Sequence, residues 1–319
     1  MAEYINIRGQ NIEVVASDPA NPTVGQIWYN STSNTLKGLN QTGAASWATG
    51  GNMNTARRQL AGSGTQTAGL AVAGIITGFP GVNNVEEYDG ATWTNATAVN
   101  TTRFDLNAAG IQTATVAFGG FTTAPTTASE EYNGSTWTSG NPIVSALNNV
   151  AACGTQTAAL GAGPTHQQYD GTSWTSATAM TTPRTLSRAA GTQTSALVFM
   201  GANPPAFNLT EEWNGSSWTA GGNLNTGRLT GGTASQGTTV SAAAFSGELA
   251  PGSTTTATEQ YDGSTWTTET SCSTGRKYTN GAGTTSAGLL FGGEVPPNTA
   301  ATEEYTGAGS LVTETITSS

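Results

Sequence analysis

One eight-residue phrase recurs along the chain: EEYDGATW at 86–93, EEYNGSTW at 130–137, QQYDGTSW at 167–174, EEWNGSSW at 211–218 and EQYDGSTW at 259–266, with a partial sixth copy, EEYTG, from Glu303. Trp47 stands one period ahead of the first copy, and the steps from Trp47 to Trp266 are 46, 44, 37, 44 and 48 residues. A second phrase keeps the same beat: GTQTAGL at 64–70, GIQTATV at 110–116, GTQTAAL at 154–160, GTQTSAL at 191–197 and GTTSAGL at 283–289, with a degenerate copy near Ala234. Such self-similarity marks a repeat architecture, in which one supersecondary unit buries its apolar face only against copies of itself.

Each unit reads as four strands. A short strand enters the GTQTA phrase, an apolar stretch such as TATVAFGG follows, and a third strand ends in Tyr. Asp-Gly or Asn-Gly then joins it to the Trp strand, which predicts type I′ turns at Asp89–Gly90, Asn133–Gly134, Asp170–Gly171, Asn214–Gly215 and Asp262–Gly263. The 58 Thr and 42 Gly favour strands and turns over helices, which excludes a helical bundle or a doubly wound α/β enzyme. The fold class is therefore all-β: a six-bladed β-propeller of four-stranded antiparallel blades, with seven blades as the alternative. The expected division is a 1–48 N-terminal attachment arm and hairpin and a 49–319 propeller, with SLVTETI at 310–316 closing the last blade as its outer strand.

Charge narrows the function classes. Asp and Glu outnumber Lys and Arg by 20 to 10, a formal net charge of -10. That lacks the basic footprint of a nucleic-acid binder and opposes an anionic membrane surface. No apolar run is long enough for a membrane-spanning helix. The N-terminal MAEYINIRGQNIEVV shows no secretory leader pattern. Cys153 and Cys272 are far apart without metal-ligand spacing and read as buried thiols.

Two charged positions vary together. Ten residues after each Trp comes Arg57, Arg103, Arg184, Arg228 or Arg276, and in the third unit Leu147. Two residues before each Tyr, or before Trp213, comes Glu86, Glu130, Glu211, Glu259 or Glu303, and in the third unit Gln167. The unit without the Arg is the unit without the Glu, so the two positions are expected to touch. The predicted structural ion pairs are Arg57–Glu86, Arg103–Glu130, Arg184–Glu211, Arg228–Glu259 and Arg276–Glu303.

No catalytic, metal or cofactor set emerges. His166 is the only histidine, too few for a multi-histidine metal site or a supported Ser–His–Asp triad. Glutamates that recur at one position in nearly every unit are what structure demands, whereas a glycosidase site breaks symmetry. What does break symmetry is the set of Pro-bearing loops between second and third strands. Their ring-bearing residues Phe79, Phe121, His166 and Phe207 are the candidate partner-binding residues.

The order Arg, apolar strand ending in Gly-Gly (Gly119–Gly120 and Gly292–Gly293), Tyr, then Trp resembles the kelch repeat over about residues 45–310, although four units lack a clean double glycine. The same cadence with the leader NPTVGQIWYNSTSNTLKG at 21–38 resembles tail-fibre-like virion proteins of bacteriophages, marine ones especially. That resemblance implies a non-enzymatic structural protein located in the virion, as tail fibre, tail tip or decoration module. Its partners would be other virion proteins through the N-terminal arm and a host-surface glycan or protein through the loops, with multiple copies per particle and no cofactor. The alternatives are a glycan-acting propeller enzyme or an intracellular kelch-type scaffold.

Overall fold

The structure is a computed structural model that describes residues 12–19, 26–41, 43–202, 208–249, 252–309 and 311–316. Phe207 and the first eleven residues lie outside the described residues. The chain forms two compact units: Met1–Ala45 with Ala308–Ser319, and Ser46–Gly307. Seven four-stranded sheets are formed among the described residues.

Six of those sheets lie in the larger unit and are antiparallel blades. Blade 1 runs Ala61–Thr65, Ala68–Gly74, Val82–Tyr88 and Trp93–Ala96 from inside to outside. Blades 2, 3 and 4 repeat this order over 107–139, 151–177 and 188–220. Blade 5 covers 232–269 and inserts a small hairpin, Glu248–Leu249 with Ser253–Thr254. Blade 6 takes three strands from 280–306 and its outer strand, Ser46–Thr49, from the other end of the chain. The innermost strands touch in sequence, and that of blade 6 returns to that of blade 1, so the six sheets close on themselves.

Closure differs from the expected arrangement. SLVTETI does not complete the last blade; Leu311–Thr315 pairs with Thr35–Gln41 in the smaller unit. There it edges a sheet that also holds Ile27–Asn30 and a parallel partner, Glu13–Val15. The propeller boundary therefore falls at Ser46 and Gly307 rather than at 49 and 319. The physical reason is the Trp–Tyr pair. Trp47 sits opposite Tyr305, as Trp93 sits opposite Tyr88, and only the 46–49 segment offers the last blade that indole.

These pairs form the core. Ring centroids are 4.9 to 5.2 Å apart in all six blades. Each outer Trp also meets the neighbouring blade: Phe118 packs on Trp174 at 4.5 Å, and Phe291 on Trp93 at 5.1 Å. Burying one such side chain contributes about 1.5–3 kcal/mol, with about 0.5–1.5 more for the ring geometry.

The Asp-Gly turns are not type I′. Four residues, Asp89 to Thr92, separate Tyr88 from Trp93, and only Gly90 has positive φ, at 93°. Asp89 instead uses Oδ1 to accept the amides of Ala91 and Thr92, and those bonds lower its pKa. The double glycines have a conformational reason. Gly120 and Gly293 have φ of 97° and 100°, and a Cβ there would lie 2.9 and 2.8 Å from a backbone oxygen. The preceding position is less strict: Ala73, Met200 and Ser246 replace glycine in three blades and still adopt φ of 55°, 53° and 52°.

Candidate functional site

The structure places each repeat arginine beside the glutamate of its own blade. All five pairs are within salt-bridge distance and buried, with Arg103–Glu130 at 3.1 Å and Arg184–Glu211 at 2.6 Å. Each carboxylate also accepts backbone amides from the segment leading into its blade; Glu86 takes those of Asn54 and Thr55. Arg57 donates onward to the carbonyls of Ala71 and Ala73. Burial lowers the pKa of Arg57, Arg103, Arg184 and Arg228, and the paired carboxylates oppose that shift.

Blade 3 solves the same problem without charge. The Gln167 side-chain oxygen accepts Val144 and Ser145 amides, and its NH2 donates to Ser145. Leu147 fills the place of the guanidinium among Ile143, Val150 and Phe118.

The second glutamate of the EEY phrase, which the sequence reading left unassigned, reaches the next blade. Tyr132 donates to Glu87, Tyr261 to Glu212 and Tyr88 to Glu304, at 2.8, 2.6 and 2.5 Å, and Tyr169 donates to Glu131. Where Trp213 replaces the tyrosine, Gln168 replaces the acid in the preceding blade. The glutamines of GTQTA staple neighbours too: Gln112 donates to the carbonyls of Gly69 and Tyr88. These recurrent contacts make the ring rigid.

The residues that do not recur gather at one end of the channel. Two positions after the repeat arginine stand Gln59, Asp105, Asn149, Leu186, Thr230 and Tyr278. All six adopt positive φ, between 52° and 60°. They bond in a circle: Asp105 N to Gln59 O, Asn149 N to Asp105 O, Leu186 N to Asn149 O and Thr230 N to Leu186 O, with Thr279 N to Thr230 O and Gln59 N to Tyr278 O completing it. That backbone shape suits glycine, asparagine or aspartate, yet four of the six are Gln, Leu, Thr and Tyr. Six copies hold one backbone geometry and six different side chains. The adjacent position varies as widely: Arg58, Phe104, Asn148, Thr185, Leu229 and Lys277.

Arg58, Arg188 and Lys277 are the cations of the propeller that the repeat does not use. Each has an acidic neighbour. Arg58 pairs with Glu294 at 3.2 Å and Lys277 with Glu248 at 3.4 Å. Arg188 acts electrostatically on Asp105, whose two carboxylate oxygens both accept Gln59 Nε2 at 2.9 Å. Desolvation pushes the Asp105 pKa up to about 6, against the pull of Gln59, Arg188 and Arg58. Below this mouth runs a narrow polar well, with Asn107, Thr233 and Ser235 in its wall. Its free space of about 30 Å³ admits one or two waters and no sugar ring. At the other end, Gln236 of blade 5 reaches across to the carbonyl of Gly110 in blade 2.

Beside the charged sector lies an aromatic one. Phe121 packs against Phe104 at 5.4 Å, and Phe79 stands edge-on to Phe104 at 6.1 Å. Phe79 is 57% exposed. The structure thus brings Phe79 and Phe121 together through Phe104, and it does not bring His166 with them. His166 opens a third strand, buried against Trp213 and Trp218, with Nδ1 on the carbonyl of Thr178. It occupies the place of Ser129 or Thr210 in other blades, which accept a tryptophan N–H from the next blade. It is therefore a core residue and not a loop residue. Gln59, Asp105, Arg188, Tyr278 and the Arg58–Glu294 and Lys277–Glu248 pairs escaped the sequence reading. Subtracting the repeated positions from the list of charges would have found most of them.

Cys153 and Cys272 are buried free thiols. No group of three or more His, Cys, Asp or Glu could hold a metal ion among the described residues.

The ring of four-stranded sheets defines the class: the protein is a β-propeller. Among solved structures it is similar to "Structure of YjhT", with a TM-score of 0.66 and 12% identity over 82% of this chain and 99% of that one. At that identity the likeness concerns the fold. No protein-family model matches the chain, and no curated protein matches it.

Proposed function

We propose that the protein is a recognition module rather than an enzyme, and that it presents the variable mouth of its channel to a partner. The observation that carries this reading is the contrast between repeated and unrepeated positions. Arginines, glutamates, tyrosines and tryptophans that recur are engaged in holding blades together. Side chains that differ in all six blades ring one end of the channel, five of them partly exposed and Thr230 buried, in a backbone conformation that disfavours most of them. Strain kept at a surface opening points to use of the side chains there. The tail-fibre resemblance of the leader and repeat supports a place on a bacteriophage virion, as fibre, tip or decoration, with the residues before Ser46 as the attachment segment. Mass spectrometry of purified particles tests the location. Host adsorption by particles carrying Phe79→Ser and Phe121→Ser tests the role; unchanged adsorption counts against it.

A glycan-acting enzyme is the second reading, and Asp105 is the observation in its favour. A carboxyl group with a pKa of about 6 beside Arg188 and Tyr278 has the protonation range of a general acid. Two other carboxylates that act on Tyr278, Glu248 and Glu294, are held in ion pairs. Release of reducing sugar ends from a polysaccharide, abolished by Asp105→Asn, would establish this reading over the first.

A further inference from the structure

We infer that the partner at the channel mouth is an uncharged glycan, stacked on the Phe79–Phe104–Phe121 platform with its hydroxyls read by Asp105, Gln59 and Tyr278. This rests on the recognition reading and names the ligand class for that same face.

Charge balance is the first argument. An anionic sugar, a phosphate or an acidic peptide needs a free cation. Arg58, Lys277 and Arg188 each already face an acid, Glu294, Glu248 and Asp105 respectively. Recruiting one of them to an anion would strand a partly buried carboxylate, which costs more than an exposed ion pair returns. The whole chain carries a net charge of -10, which repels an anionic ligand at long range.

The shape of this face agrees with the charge balance. Three phenylalanine rings lie in one sector, centroids 5.4 and 6.1 Å apart, with interplanar angles of 41° and 84°. Phe79 is the exposed member. One exposed ring backed by two partly buried ones, with hydrogen-bonding groups nearby, suits a ligand that is apolar on one face and polar at its edge. A pyranose ring has that character: C–H bonds on a face and hydroxyls around the rim. Asp105 follows Phe104 directly in the chain and lines the channel with Gln59 and Tyr278, so the polar groups begin one residue along from the rings. A carboxylate accepts from two hydroxyls, an amide such as Gln59 both donates and accepts, and the Tyr278 hydroxyl does the same. The narrow well is closed to a sugar ring, so the ligand lies across the mouth instead of entering it.

The test is a binding screen of the full chain against neutral hexose and N-acetylhexosamine oligosaccharides and against sialylated and uronic-acid oligosaccharides, at low and high salt. Neutral oligosaccharides are expected to bind with little dependence on salt. Phe79→Ala and Gln59→Ala are expected to weaken that binding about tenfold, with circular dichroism unchanged. Binding of only the acidic oligosaccharides, lost at high salt, overturns the inference and leaves the recognition reading standing. Failure of both classes also overturns it. In that event, host adsorption that is lost in Phe79→Ala particles keeps the recognition reading, and adsorption that is retained removes both.

Discussion

Arg103→Leu should destabilise the protein more than Arg103→Leu combined with Glu130→Gln. The single change leaves Glu130, 1% exposed, without its cation. Stranding one partner of a buried pair costs about 3–5 kcal/mol. Both variants lose the Arg103 bonds to the Ala117 and Ala128 carbonyls, about 1–2 kcal/mol in sum. In the double variant the glutamine introduced in place of Glu130 has no charge to strand. Its side-chain oxygen still accepts the Asn100 and Thr101 amides, as Gln167 accepts two amides in blade 3. The leucine introduced in place of Arg103 meets Val99 and Leu106, the counterparts of the Ile143 and Val150 that surround Leu147. The double variant therefore keeps the carbonyl cost and sheds most of the rest, a difference of roughly 2–3 kcal/mol. For a unit of this size about 2 °C accompanies each kcal/mol, so melting temperatures should differ by roughly 4–6 °C. Differential scanning calorimetry on wild type and both variants reads this directly. Equal shifts would refute the view that the pair acts as a unit, and blade 3 would then owe its Leu and Gln to chance.

Further tests follow from the channel and the blade interfaces. Asp105→Asn should raise the melting temperature at pH 7 but not at pH 4. The folded-state pKa is raised to about 6, so the wild type is favoured while the carboxyl is protonated and loses that advantage as pH climbs from about 4 through 6. After allowance for solvent at the mouth the gain is about 1–2 kcal/mol, and a melting profile flat across this range would oppose it. Tyr88 and Tyr261 are pushed up to about 12 by desolvation and by Glu304 and Glu212. Ultraviolet titration of the native protein should leave them un-ionised past pH 10, and any stability they lend is present below pH 10 and lost as pH rises through 12. Complete phenolate formation near pH 10 without unfolding would contradict these Tyr–Glu contacts between blades. Leu186→Asn should raise the melting temperature by roughly 2 °C, because asparagine relieves about 1 kcal/mol of left-handed strain; a lower value would show that Leu186 is held by packing.

What the sequence displayed was whatever the geometry repeats. A Tyr–Trp pair needed at every blade is written six times, with Trp213 substituting once for Tyr and Trp47 arriving from the far end of the chain. Arg and Glu disappear together at Leu147 and Gln167 because one without the other would be a buried charge. The closure is written in the sequence as well. Each outer-strand Trp lies ten residues before the arginine of the next blade, or before Leu147 in blade 3, and Trp47 keeps that spacing to Arg57. It must therefore belong to the blade before blade 1, which in a closed ring is blade 6. SLVTETI has the composition of a strand, but the last blade takes the segment that supplies its Trp.

The mouth was illegible for the opposite reason. A residue present once has no beat to mark it, and the fold gives no clue to its place until the blades are stacked. His166 shows the hazard: a lone histidine near a loop reads as functional, whereas its ring is packed on Trp213 and Trp218, and the Thr178 carbonyl accepts from both His166 Nδ1 and Trp218 Nε1. Arg188 shows the converse. Nothing in TLSRAAGT distinguishes it, yet the innermost strand of blade 4 carries it into the channel, where it donates to the Thr279 carbonyl in blade 6 and faces Asp105 of blade 2. Symmetry in such a ring serves stability, since every blade must satisfy the same interface. Variation is confined to positions where the backbone alone does the structural task, as in the circle of bonds through Gln59, Asp105, Asn149, Leu186 and Thr230, and the side chain is left free to differ from blade to blade.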